Sequence, residues 1–101
     1  METRKYTRQK LPAQLSFGGK KFNLLDISVE GCSLFSEHHE LSLNEVYEAK
    51  LILGSTHIGV NVVFINKKEE SHRYGAEFLF VEKGSRQNLQ GYLLGNRDQI
   101  R

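Results

Sequence analysis

Two groups of residues in this 101-residue chain have types and spacings suited to chemistry. Near the start, Arg4-Lys5-Tyr6-Thr7-Arg8 sets two arginines four positions apart, an R-x-x-x-R pair. Further on, Asp26-Ile27-Ser28-Val29-Glu30-Gly31 forms a D-x-S-x-x-G bend. Arginine presents a planar fork that can bind phosphate oxygens in pairs, stack on a base, or read the O6/N7 edge of guanine. The carboxylate of Asp26 accepts hydrogen bonds, which is what the N1–H and N2–H₂ edge of guanine requires. Ser28 donates or accepts, and a glycine at 31 lets backbone approach a flat base or take a positive φ. A ligand carrying both guanine edges and phosphates would use every one of these groups.

Each half is weak alone, because Asp and Ser in a turn commonly bond their own backbone and glycine is the default turn residue. By composition a D-x-S-x-x-G arises by chance in roughly one chain in fifty. An R-x-x-x-R upstream of it lowers that to the order of 10⁻³, so the pairing carries the signal.

The arm that would bring the arginines to the bend is residues 1–10. It holds Arg4, Lys5, Arg8 and Lys10 against Glu2, an arm of +3 in a chain of net +2, which leaves −1 for the other 91 residues. With Met1 and Tyr6 almost its only apolar side chains, it cannot bury enough surface to order itself and is expected to be flexible until an anion meets it. Residues 11–101 are expected to form one domain. Leu11, Ala13, Leu15 and Phe17 alternate with polar neighbours as in a half-buried strand, with Pro12 at its start or along an edge. Gly18-Gly19 reverses the chain and Lys20 to Ile27 returns. Cys32 to Ser36, Tyr47 to Leu53, Ile58 to Ile65 and Arg73 to Phe80 complete six strands, with a polar connection over 37–44 and a charged loop from Asn66 to His72.

Six strands without a helical crossover pair antiparallel, and in so short a chain they close most economically into a small barrel. The expected fold is therefore all-β, a six-stranded antiparallel barrel. Only the last twenty residues read as helical, with Ser85 as N-cap and Leu89, Tyr92, Leu93 and Asn96 on one face. Gly91 weakens that helix by about 1 kcal/mol relative to Ala, so it needs packing to persist.

The composition, 39% hydrophobic and 26% charged, suits a folded core and argues against disorder. No apolar run approaches the ~20 residues of a membrane span. The opening residues lack an apolar signal segment, and the single cysteine, Cys32, suits a reducing compartment, so the expected location is cytoplasmic. His38, His39, His57 and His72 lack metal-ligand spacing, and Cys32 follows Gly31 in a strand, where a buried side chain is expected. Ser28 has Asp26 nearby but no histidine close in sequence to activate it, so neither an enzyme nor a metal site is expected.

The arm and bend, in this order, resemble the signature of the PilZ domain family. The similarity runs nearly the whole length, through a strand like Ile58 to Phe64, a G-x-x-F strand at Gly75-Ala76-Glu77-Phe78, and a helix at Ser85 to Leu94. The resemblance implies a six-stranded barrel with a helix beside it and a receptor for the bacterial messenger cyclic di-GMP, with no other cofactor. By the motifs, Arg4 and Arg8 would contact phosphates and guanine, and Asp26, Ser28 and Gly31 would hold a guanine on the barrel surface. Lys5 would add supporting charge. Phe64 stands where family members carry an aromatic near the ligand, while its alternation with Val60 and Val62 reads as core. Family members often have glycine before the fourth strand. Asn44-Glu45 replaces it here, and Asn tolerates the same left-handed backbone.

The resemblance further implies an unidentified downstream protein partner and no nucleic acid. Two rival readings are a small barrel binding single-stranded nucleic acid through its basic arm, and a PilZ-like adaptor that binds only proteins. The acidic remainder of the chain weighs against the first, and the intact motifs against the second.

Overall fold

The computed structural model describes residues 9–38, 40–80 and 84–95. Gly18 and Gly19, at φ 60° and 77°, make the two-residue turn whose twist suits a hairpin, joining β1 (Gln14–Phe17) to β2 (Lys20–Ile27). β3 (Gly31–Phe35), β4 (Val46–Leu53), β5 (Thr56–Lys68) and β6 (Arg73–Leu79) follow, then, among the described residues, a single helix, α1 (Ser85–Gly95). The strands form a closed antiparallel barrel in the order β1-β2-β3-β6-β5-β4, sealed by pairing of β1 with β4. Among the described residues every strand has a neighbour on both sides, with β1 reaching only Lys50–Ile52 of β4.

The alternation in the sequence is the inside of this barrel. Leu15, Phe22, Leu34, Leu51, Ile58, Val60, Val62, Phe64, Tyr74 and Ala76 all lie in the core. α1 packs against β5, burying Leu89 and Leu93 at the spacing of four expected for one helix face. The first intrahelical bond runs from the Asn88 N–H to the Gly84 carbonyl at 2.9 Å. Gly84 is therefore the cap and Ser85, expected there, is the first helical residue. Asn96, expected on the buried face, lies outside the described residues. No helix among the described residues is long and apolar enough to cross a membrane.

Two strands depart from the expected outline because each carries a β-bulge. In β2, Leu24 faces Leu34 while Asp26 faces Ser33, so Leu25 is an extra residue. In β5, Phe64 faces Ala76 while Asn66 faces Gly75, so Ile65 is extra. β5 then continues to Lys68, and only 69–72 of the expected charged loop is a turn. β1 begins at Gln14 rather than Leu11, and β3 at Gly31 rather than Cys32.

The connection between β3 and β4 is fastened over the barrel end. The Leu41 N–H donates to the Tyr74 hydroxyl at 3.2 Å, the Ser42 N–H to the Tyr47 hydroxyl at 3.0 Å, and the Asn44 N–H to the Phe64 carbonyl at 2.8 Å. Asn44 takes φ 66°, the left-handed backbone expected at this family glycine position. Lys67 bonds Glu40 at 2.9 Å and Glu69 at 3.3 Å and lies over the Tyr74 ring. The Glu40 carboxylate above all, then Glu69 and Tyr74, hold its ammonium above the ordinary lysine range.

Candidate functional site

The bend between β2 and β3 is built from its own backbone. The Ser28 N–H donates to the Gly31 carbonyl at 2.8 Å, closing a two-residue connection. The Ser28 Oγ accepts from the Glu30 N–H at 3.1 Å, a local bond typical of serine in turns. The Phe78 N–H reaches across from β6 to the Glu30 carbonyl at 2.9 Å, and Val29 is buried beneath. Ser28 is 2% exposed, with its hydroxyl turned to this turn.

Gly31 owes its identity to packing. A Cβ there would run into the carbonyl oxygen of Ala76, so β3 and β6 can approach only with hydrogen at this position. Of the two roles glycine offered in the sequence, close approach is the one realised, and what approaches is the neighbouring strand.

Asp26 depends on the bulge. Phe22 and Leu24 point inward, so strict alternation would turn Asp26 into the core. The extra Leu25 switches the parity, seating Ile27 in the core and putting Asp26 outside, opposite Ser33. There its Oδ2 receives Arg73 Nη2 at 3.1 Å, and the same nitrogen donates to the Ser33 Oγ at 3.2 Å. The sequence reading did not single out Arg73. Its outward position two residues before Gly75 was visible, but the pairing of β6 with β3 that brings it to Asp26 was not.

The arm meets the bend at its root. Gln9 and Ile27 exchange two backbone hydrogen bonds, Gln9 N–H to Ile27 carbonyl at 2.8 Å and the reverse at 2.9 Å. Ile27 lies between Asp26 and Ser28, and the residue preceding Gln9 is Arg8. The arm was expected to be loose through Lys10, yet Gln9 is already fastened to the barrel. Arg4, Lys5 and Arg8 lie outside the described residues.

Phe64 lies in the core, the role that its alternation with Val60 and Val62 favours. Its ring is fully buried, 5.6 Å from Tyr47 and 5.8 Å from both Phe17 and Tyr74, with no face open to the surface. Cys32 is likewise wholly buried.

The sequence matches the PilZ domain family over residues 2–95, and the chain belongs to that family. Solved structures agree on the fold. MrkH of K. pneumonia in its complex with c-di-GMP superposes with a TM-score of 0.81 at 20% identity, covering 98% of this chain and 54% of that one. YcgR of Escherichia coli in complex with c-di-GMP gives 0.72 at 19% identity, covering 95% and 46%. The PilZ domain of YcgR with c-di-GMP gives 0.73 at 17% identity, covering 99% and 95%. The chain thus spans about half the length of the first two and nearly all of the third. No curated protein sequence matches it.

Proposed function

We propose that the chain is a non-enzymatic receptor for cyclic di-GMP, acting in the cytoplasm, that signals to a protein partner when ligand orders residues 1–8 against the bend. The observation that carries this reading is the backbone pair between Gln9 and Ile27. It ties the root of a doubly arginine-bearing arm beside the outward carboxylate of Asp26. Family membership supports the ligand, and the related MrkH and YcgR structures are complexes with it.

In this reading Arg4 and Arg8 grip phosphates and guanine from the arm, with Lys5 adding charge. Asp26 accepts from the N1–H and N2–H₂ edge of a guanine. Ser28 and Gly31 fix the bend over which that base lies, and the Ser28 hydroxyl retains a proton to donate. Phosphates alone would bind any nucleotide, whereas the carboxylate selects guanine. Two states differ in ligand contacts, arm free and arm closed, which is the minimum a switch requires. The closed arm covers one surface and presents another, and a downstream protein reads the difference.

Isothermal titration with cyclic di-GMP tests the ligand. Saturable heat at micromolar concentrations is expected, with a stoichiometry that separates a single ligand from a stacked pair. Folded protein giving no heat at tens of micromolar would remove the proposal. Limited proteolysis tests the switch: cleavage within residues 1–8 should slow on ligand addition, and an unchanged rate would refute arm closure.

A further inference from the structure

One polar row crosses the outside of the barrel over four strands. Asp26 on β2 faces Ser33 on β3, Ser33 faces Gly75 on β6, and Gly75 faces Asn66 on β5. Residues two apart on a strand share a face, so Arg73 stands beside Gly75 on the same exterior. Its Nη2 reaches the Asp26 Oδ2 at 3.1 Å and the Ser33 Oγ at 3.2 Å.

The two partners are unequal. The Asp26 side chain is 14% exposed and that of Arg73 43%. An ordinary surface ion pair joins two waving side chains and contributes little. Here the carboxylate is enclosed on a sheet, and one guanidinium nitrogen is pinned at two points, the second a buried serine on the intervening strand. The Arg73 contact falls on one carboxylate oxygen, and a carboxylate offers about four lone-pair directions in all. What the contact removes is freedom to rotate. A carboxylate that must accept two parallel N–H bonds from the edge of a planar base has to lie in the plane of that base, so its orientation decides whether one bond forms or two.

We propose that Arg73 is a positioning residue of the cyclic di-GMP site, holding the Asp26 carboxylate in the orientation that receives a guanine edge. The proposal rests on the reading of the preceding subsection and adds to it a residue 47 positions from Asp26. Arg73 acts through Asp26, so its effect disappears when Asp26 is gone. Lysine in its place supplies charge but not a rigid fork and restores the function only partly.

The test is a double-mutant cycle read by titration with cyclic di-GMP, using the parent, Arg73→Ala, Arg73→Lys, Asp26→Ala and the Arg73→Ala/Asp26→Ala and Arg73→Lys/Asp26→Ala pairs. Arg73→Ala should weaken binding about 10-fold or more in the parent and less than about 2-fold in the Asp26→Ala background, with Arg73→Lys between. The loss should persist at about 0.5 M salt, where a purely long-range charge effect is screened. Thermal melts establish that each variant is folded, and should Arg73→Ala fail to fold, the Arg73→Lys arm of the cycle decides alone. Unchanged binding in the Arg73 variants, an equal loss with or without Asp26, or a loss that vanishes at high salt would each overturn the inference. A folded parent that binds no cyclic di-GMP overturns the reading beneath it, a separate and distinguishable result.

Discussion

Replacing Gly31 by alanine separates what the barrel requires of the bend from what a ligand requires. The backbone at Gly31 is not in the left-handed region, so alanine there carries no conformational penalty of its own. The penalty is contact. The new methyl would meet the Ala76 carbonyl oxygen, with the carbonyl carbon at 3.1 Å and the Glu77 Cα at 3.2 Å. All three atoms are backbone of β6, which is held between β3 and β5 and cannot swing aside as a side chain can. Relief means parting β3 from β6 at the hydrogen bond between Phe78 and Glu30. Overpacking of this kind costs about 1–3 kcal/mol, and a strained or lost backbone hydrogen bond about 0.5–1.5 kcal/mol. A destabilisation of about 2–4 kcal/mol is expected, read from urea unfolding followed by circular dichroism with the slope m unchanged. Gly75→Ala is the internal control. Its nearest obstacle is the Asn66 amide oxygen at 2.6 Å, the end of a mobile side chain, so its cost should stay below about 1 kcal/mol. A Gly31→Ala protein within about 0.5 kcal/mol of the parent, or a Gly75→Ala protein equally damaged, would refute the packing argument. If the argument holds, weaker ligand binding by Gly31→Ala reports a displaced bend and is no evidence that Gly31 touches the ligand.

Three further outcomes are expected. Arg8→Ala should lose about 2–5 kcal/mol of cyclic di-GMP binding free energy by titration while its circular dichroism stays that of the parent, as for removal of one partner of a desolvated charged pair; parental affinity would show the arm to be irrelevant. Gln9→Pro deletes the N–H that bonds the Ile27 carbonyl, so the arm must be re-anchored on binding. Affinity should fall by about 10-fold through that lost preorganisation, with the melting temperature lowered by only the few degrees that one lost backbone hydrogen bond accounts for, and undiminished affinity would count against the tether. Lys67 titrates above the unfolded lysine value in the folded chain, so its contribution is fully present below about pH 10.4 and fades as pH rises through the folded value. Denaturation midpoints measured from pH 8 to 11.5 should therefore decline more steeply at the alkaline end for the parent than for Lys67→Met, and parallel curves would contradict the assignment.

The inward residues of the barrel were legible because a closed sheet has one inside, and every second residue of Ile58 to Phe64 must face it. The bulges were not. Leu25 and Ile65 are apolar, so each extra residue leaves the apolar count of its strand intact while reversing the face of everything after it. Polar and charged side chains made Asn66 to Lys68 read as loop, and the bulge at Leu25 put Asp26 on the outside for a reason that spacing alone does not contain. The bend was legible as a pattern of Asp26, Ser28 and Gly31, but the reasons for those residues lie in different places. Ser28 satisfies the turn itself, and Gly31 yields space to a strand more than forty positions later.

β6 is the strand on which these reasons converge. Its Ala76 carbonyl demands glycine at 31, its Phe78 N–H fastens Glu30, and its Arg73 crosses Ser33 to Asp26. A slip of β6 by one residue would turn Arg73 toward the core, carry the buried Tyr74 to the surface and take the Ala76 carbonyl from its place beside Gly31. Barrel register and site geometry are thus one constraint. Substitutions that loosen the β3–β6 pairing should weaken ligand binding in step with stability, whereas changes to Arg4 or Arg8 should weaken binding alone.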